Sequence, residues 1–453
     1  MNKKLLVAIF LLSLSLNAQT TFVPDDIFEQ ALIDMGYDNP PLDNYVPTAN
    51  IENITVLTLS SLGISDLTGI EDFSALQILY ATNNNLTNID ISQNVNLEKI
   101  IVSNNLLSAL DVSNNILLEY LYFENNSISS INLWENTLLK EFYCGQNDLV
   151  QLDVSHNPEL QIIDCSTNLL TSLDTSVNNN LIALYCYGNN ISSLNVTQNT
   201  ELEMLYCYGN NLNELDVSQN TFLRFLLAPF NQISNINLSN NFNLTHLDLS
   251  ENNLNAIDIT NNLSLEYLYL FSNNLLELDV TLNDQLEEVV VFNNQIDSLD
   301  FSNASQLIYL MCDTNHLEYL NVRNGNNTNI SGFFAQNNPN LECIEVDDPQ
   351  YSEANWPEVD PQVVFSEDCN PLGVIEEEFE SIHIYPNPFK DQLFMKAEQP
   401  ISSIEIRNVL GVRVYKSNIM VNSINLSDLS QGVYILKVTF NNNANFVTRI
   451  VKN

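Results

Sequence analysis

A 21-residue unit recurs without a slip from Leu76 to about Gly325, and it narrows the possible folds more than any other feature of the chain. One copy, starting at Leu265, reads LEYLYLFSNNLLELDVTLNDQ. With the first leucine as slot 0, that slot is Leu at 76, 97, 118, 139, 160, 181, 202, 223, 244, 265, 286 and 307. Slot 8 is asparagine in every copy: Asn84, Asn105, Asn126, Asn147, Asn168, Asn189, Asn210, Asn231, Asn252, Asn273, Asn294 and Asn315. Slots 3, 10 and 13 are always apolar, and slot 15 departs only at Thr175. A fixed period of this length makes a solenoid, in which each turn buries its apolar face only against its neighbours.

Slots 3 and 5 alternate with slots 2, 4 and 6, the two-residue period of a strand. Slots 3 and 5 therefore face inward, and 2, 4 and 6 outward. The asparagine at slot 8 marks a turn, where a buried amide can bond backbone groups that the turn leaves unpaired. Stacked from turn to turn, these side chains form a ladder. The second half repeats the scheme, with Asn at slot 18 in the first ten copies, Asn94 to Asn283. The unit is thus a nested 10 plus 11 with no room for a helix. It predicts an all-β-dominated solenoid with a parallel sheet on each side. Both sides then rise by roughly 4.8 Å per turn, which makes the coil nearly straight. The spacing L-x-x-L-x-x-x-x-N resembles the leucine-rich repeat family, and the nesting resembles a bacterial class of short leucine-rich repeats.

The ends need closing, because a bare first or last turn exposes core. Residues 1–18 read as a secretory signal: Lys3 and Lys4, an apolar run from Leu5 to Leu16, and a cut after Ala18. Residues 19–53 read as an N-terminal cap. Pro24-Asp25-Asp26 starts a helix, Ile27, Phe28, Ala31, Leu32 and Met35 share a face, and Gly36 ends it. The cap resembles those of secreted flavobacterial leucine-rich repeat proteins. The solenoid spans 54–346, with a divergent first turn and irregular last ones. Residues 347–370 have no periodicity and read as the C-terminal cap, and 371–380 as an acidic linker.

From residue 381 the pattern changes to about seven short alternating strands, a small β-sandwich. This segment holds eight of the fourteen Lys and Arg residues. Its order of Tyr385-Pro386-Asn387-Pro388, Gly411, Val414-Tyr415, Asn425-Leu426-Ser427-Asp428-Leu429, Gly432-Val433-Tyr434 and Arg449-Ile450-Val451-Lys452 resembles the type A C-terminal sorting domain of the Bacteroidetes type IX secretion system. The resemblance implies export by that machinery, removal of 381–453 and display of the rest on the outer cell surface.

The net charge of −42 repels phosphate backbones and excludes nucleic acid as a partner. No stretch after the signal is long and apolar enough to span a membrane, and a monomer is expected. Five of the seven cysteines, Cys144, Cys165, Cys186, Cys207 and Cys312, sit in slot 5, where a thiol packs as a small hydrophobe. Cys343 and Cys369 fall outside the ladder and suit a disulfide in an exported chain.

Nothing in the sequence marks a catalytic site. His156, His246, His316 and His383 occupy unrelated slots, and no metal-ligand spacing accompanies them. No cofactor is expected. Slot 14 is aspartate in eight copies, among them Asp90, Asp153 and Asp279. It reads as solvated acids bonded to nearby backbone, with Ca²⁺ along this edge as the alternative. The outward slots of the first sheet carry the stronger signal. Tyr122, Tyr143, Tyr185, Tyr187, Tyr206, Tyr208, Tyr267, Tyr269, Phe271 and Phe292 form an aromatic strip there. Tyrosine suits strands, but a contiguous exposed strip marks an interface. The expectation is a secreted, non-catalytic binding or adhesion protein whose strip takes a protein or glycan. The alternatives are a surface-layer component without a specific ligand and a hydrolase on a repeat scaffold.

Overall fold

The computed structural model describes residues 19–369, 382–397, 400–408, 411–417, 423–440 and 445–453. The expected signal at 1–18 and linker at 371–380 lie outside the described residues. The chain divides after Cys369 into two compact units.

The first unit is a parallel β-solenoid. Fourteen strands, from Val56–Thr58 to Gly332–Phe334, form one sheet in which each rung pairs with the next. The repeats contribute slots 2 to 4, in register: Tyr122 lies beside Tyr143, and Tyr185 beside Tyr206. Slot 3 points inward and is fully buried at Leu79, Ile100, Leu121 and Phe142. The inward slots of all rungs join in one continuous apolar core.

Two asparagine ladders pin the rungs, and they work differently. At slot 8, Asn105 donates to Ala81 O and Val102 O (both 2.9 Å) and accepts from Leu86 N (3.1 Å). Both ends of the amide are used, and two of the groups belong to the previous rung. At slot 18, Asn115 donates to Ile91 O (3.2 Å) and Asn94 O (2.9 Å), but its Oδ1 is buried without a partner. Slot 7 is left-handed along the array, at Asn83 (φ 58), Thr167 (φ 50), Gly188 (φ 64) and Phe230 (φ 55) alike. The fold imposes this conformation whatever the residue. The variety at slot 7 is why the pattern does not show in the sequence.

The second side is less regular than the first. Parallel pairing occurs there between Leu173–Asp174 and Leu194–Asn195, and again along Ser298–Asp300, Tyr319–Asn321, Cys343–Glu345 and Val364–Ser366. In paired and unpaired rungs alike the slot-14 side chain takes the slot-16 N–H, as Asp90 Oδ1 does from Ser92 N (3.0 Å) and Asp174 Oδ1 from Ser176 N (2.9 Å). Where the pairing lapses, the chain turns after too few extended residues to sustain a ladder.

The N-terminal helix runs Asp26–Asp34, with Asp25 Oδ1 accepting from Ile27 N (2.9 Å) and Phe28 N (3.0 Å). Phe28, Ala31 and Leu32 are buried, whereas Ile27 and Met35 are exposed. Of the five expected apolar residues, Met35 lies beyond the helix at its C-cap, and Ile27 faces solvent in the first turn. Gly36 (φ 81) follows, its N–H on Ile33 O and that of Tyr37 on Leu32 O (both 2.9 Å), a left-handed stop. At the other end, the segment read as aperiodic contains a helix, Pro349–Asn355. Asp348 caps it and proline opens it, a start signal that lack of periodicity concealed. Trp356 is buried against Phe333 at 4.2 Å. A disulfide joins Cys343 to Cys369, with the Cα atoms 5.6 Å apart.

In the second unit, the described residues form seven antiparallel strands between His383 and Lys452, in a three-stranded and a four-stranded sheet. Leu393, Ile404, Leu436 and Ile450 are fully buried in its core. Asn387 donates to Arg449 O (3.0 Å) and accepts from Val451 N (2.8 Å). Lys452 reaches Leu426 O (2.6 Å) and Ser427 O (3.0 Å). The separated motifs of this segment therefore meet in space.

Candidate ligand-binding face

The outward face of the long sheet is built by register alone. A side chain at one slot lies about 4.8 Å from its equivalent on the next rung, so rings in the same column must stack. Tyr187 and Tyr208 lie 4.3 Å apart and nearly parallel (8°), and Phe271 and Phe292 4.8 Å apart (5°). Tyr122 with Tyr143 (4.7 Å) and Tyr185 with Tyr206 (5.0 Å) meet edge to face. Phe225, His246 and Tyr267 form a further column at 4.5 and 4.3 Å. All ten expected residues are half-buried on this face. Nine of the ten rings give a face or edge to an aromatic neighbour, and Tyr269 stands between Asp248 and Val290.

The ten do not make one unbroken column. Asp164 stands between Tyr143 and Tyr185 in slot 4, and Leu227 and Asp248 between Tyr206 and Tyr269. The tyrosines also differ in what holds their hydroxyls. Tyr122 donates to Glu141 on the next rung, Tyr267 to Glu287 (3.0 Å) and Tyr269 to Glu288 (2.7 Å). Tyr185 meets only Met204 Sδ at 3.6 Å. Burial, then the Glu141 charge, pushes the Tyr143 phenol up to about 12, and burial with Tyr187 does the same for Tyr208. The glutamates are partners that a search for aromatic residues overlooks. Their signal was an acid one rung after a tyrosine in the neighbouring column.

Burial raises the Asp248 carboxyl, whose Oδ1 accepts from Ser250 N (3.0 Å). Asp164 accepts from Ser166 N (2.9 Å) and Ser166 Oγ (2.6 Å). Desolvation lowers the His246 imidazole within its aromatic column.

On the opposite side, the slot-14 aspartates cap turns. The Ser92 hydroxyl and then its N–H lower Asp90, and the corresponding Ser155 groups lower Asp153. Among the described residues no group of three or more His, Cys, Asp or Glu side chains is placed to hold a metal ion. The slot-5 cysteines are buried free thiols, and burial pushes Cys207 up to about 12. Trp134 interrupts this side. It is 56% exposed in a slot that otherwise holds Ser or Thr, apart from Arg323 in the last copy. It stacks on His156 at 5.2 Å and donates to Asp153 Oδ2 (3.2 Å). The sequence signal for it is the break in the Ser/Thr slot at position 134.

Known proteins agree with both halves of this picture. Residues 383–453 match the family described as the secretion system C-terminal sorting domain. The fold is similar to the functional domain of InlJ from Listeria monocytogenes, which includes a cysteine ladder. The TM-score is 0.61 at 25% identity, covering 96% of this chain and 99% of that one. An internalin of the same organism, inlF, gives 0.61 at 21% identity over 70% of this chain and 96% of its own. A leucine-rich repeat protein of Leptospira interrogans gives 0.53 at 20%, covering 70% and 97%. A stretch of 99 residues is 27% identical to an ulvan lyase of Nonlabens ulvanivorans, covering 21% of this chain but only 18% of that enzyme. The protein is a leucine-rich repeat solenoid carrying a secretion-system sorting domain. Its tail marks it for type IX export to the cell surface or beyond, and no described helix is long and apolar enough to cross a membrane.

Proposed function

We propose that this is a non-catalytic binding protein and that the aromatic face of the long sheet takes a protein ligand. The stacked columns carry this reading. Rings fixed by their neighbours lose little further freedom on binding, and they offer a rigid apolar rim with polar tips. A sugar ring, by contrast, packs on an open aromatic face, and each ring of the Tyr187–Tyr208 and Phe271–Phe292 stacks gives one of its two faces to its neighbour. The test replaces Tyr185, Tyr187, Tyr206 and Tyr208 by Ala together. Ligand binding should be lost with the circular dichroism and melting curve of the coil retained. Undiminished binding removes the face from consideration.

A glycan contact has one observation in its favour, on the other side of the coil. Trp134 is stacked on His156, and the same slot of the preceding rung holds the smaller Ser113. A glycan array probed with the protein and its Trp134→Ala variant tests this: a Trp134-dependent signal supports it. Turnover of ulvan or another polysaccharide by the purified protein would replace both readings with an enzyme.

A further inference from the structure

The middle column of the ligand face carries two carboxylates that its own architecture does not neutralise. Asp164 and Asp248 occupy slot 4, the middle column, four rungs apart. Glu141, Glu287 and Glu288 at this sheet hold tyrosine hydroxyls, and Glu119 pairs with Lys140 at 2.7 Å, whereas the half-buried Asp313, also raised by burial, lies apart in slot 6. The two aspartates turn Oδ1 back to their own rung, and among the described residues no Lys or Arg forms an ion pair with either. Each is walled by the tyrosine of the next rung, Tyr185 or Tyr269. The preceding rung offers Tyr143 to Asp164 and Leu227 to Asp248. Asp164 and Ser166 pack closely against slot 6 of the preceding rung, which is Gly145, and a Cβ there would stand 2.8 Å from Ser166 Oγ and 3.1 Å from Asp164 Oδ1.

A half-buried carboxylate without a cation is costly, and a binding surface keeps one where the ligand brings the charge. The chain's net charge of −42 draws cationic partners and repels anionic ones. Distance narrows the choice. Four rungs span about 19 Å, and an extended chain covers that in about six residues. An even separation also puts both side chains on one side of an extended segment.

We propose that the ligand is an extended protein segment lying along the coil axis, with two basic side chains six residues apart seated on Asp164 and Asp248. Between them its other side chains pack on Tyr185, Tyr206 and the Phe225–His246 column. This rests on the reading of the aromatic face as the ligand face and names what that face takes.

The experiment measures fluorescence anisotropy of synthetic Gly/Ser peptides binding to the full chain. One peptide carries Arg at positions 2 and 8 and Tyr at 4 and 6. A second has the arginines five apart, and a third has Gln in place of Arg. The six-spaced peptide should bind at least tenfold tighter than the others. Asp164→Asn and Asp248→Asn should each weaken it about tenfold and erase the spacing preference. Equal binding of the two arginine peptides, no binding of either, or indifference to both Asn substitutions overturns the proposal. The Tyr185, Tyr187, Tyr206 and Tyr208 variant separates the two ideas. If it loses a ligand that the double Asn variant keeps, the face stands and the cationic segment falls. Removing a desolvated charge does not unfold the coil, so a loss at Asp248→Asn reports binding.

Discussion

The Thr175 hydroxyl donates to the side-chain oxygen of Asn199, one rung further along the coil, at 2.9 Å. Thr175 is the one slot-15 residue that breaks the apolar pattern. It reaches the Oδ1 atom that is left bare at Asn94, Asn115, Asn136, Asn157 and others of the slot-18 ladder. The exception to the repeat thus completes a bond that the repeat itself leaves open.

That pairing makes the slot-15 hydroxyl a stabilising device. Thr175→Val should cost about 1 kcal/mol, the net worth of one buried hydrogen bond. Val217→Thr, facing the bare Oδ1 of Asn241, should be close to neutral, although burying an unpaired hydroxyl ordinarily costs 1–3 kcal/mol or about that. Urea midpoints of the two variants check both. A loss above roughly 2 kcal/mol for Val217→Thr would mean that the hydroxyl finds no partner.

The two asparagine ladders should not be equally sensitive. Asn189 Oδ1 is the partner of the Leu170 N–H (3.0 Å), and no other acceptor is found for that donor among the described residues. The carbonyls that Asn178 serves, Val154 O and Asn157 O, each also accept a backbone N–H. Both substitutions leave a cavity of the same size. Asn189→Ala should therefore cost more than Asn178→Ala by about 1–3 kcal/mol, the penalty of one orphaned buried donor. Thermal melts of the pair decide it, and equal losses would sink the distinction.

Slot 7 offers a stabilising change. Thr167 sits at φ 50, a left-handed conformation unfavourable for a β-branched residue. Thr167→Asn keeps the backbone bond from its N–H to Tyr187 O (2.7 Å). It should raise stability by about 1 kcal/mol, read as a higher melting temperature. No change, or a fall, would show that the threonine side chain contributes contacts worth more than the strain.

Asp248 ties stability to pH with the opposite sign from the turn aspartates. Its folded-state carboxyl titrates above the ordinary value because burial penalises the anion. At neutral pH it therefore destabilises the coil. As pH falls through the raised value it takes up a proton that the unfolded chain binds only at lower pH, and the penalty fades. Asp248→Asn should melt higher than the parent at pH 7, with the difference gone near pH 3–4, or about the ordinary aspartate range. Asp90 and Asp153, held low by hydrogen bonds from the Ser92 and Ser155 residues, contribute stability above the ordinary aspartate range and lose it as pH falls through their lowered values. Melting curves across this range, parent against Asp248→Asn, separate the two effects.

Much of the coil was legible because its signals are local and recur. Leucine at slot 0 and asparagine at slot 8 repeat twelve times, and period two within slots 2 to 6 leaves only one face for burial. The outward placement of Tyr185 and Tyr206 followed from the same parity. The helix Pro349–Asn355 was missed because one short capped helix has no period to betray it. The second sheet was over-extended for a related reason. L-D-V reads as strand, but in most rungs the chain turns after too few extended residues to sustain a ladder.

Repetition alone dictated the solenoid, its inward leucines and its asparagine ladders, since a unit that cannot bury its own face must stack on a copy of itself. Whether a given Tyr points its face or its rim to solvent, which hydroxyl a glutamate holds, and that Asp164 and Asp248 stand without a cation were decided only in three dimensions. Those properties depend on what lies one rung away, 21 residues distant in the chain, and stacking at about 4.8 Å turns that distant residue into the nearest neighbour.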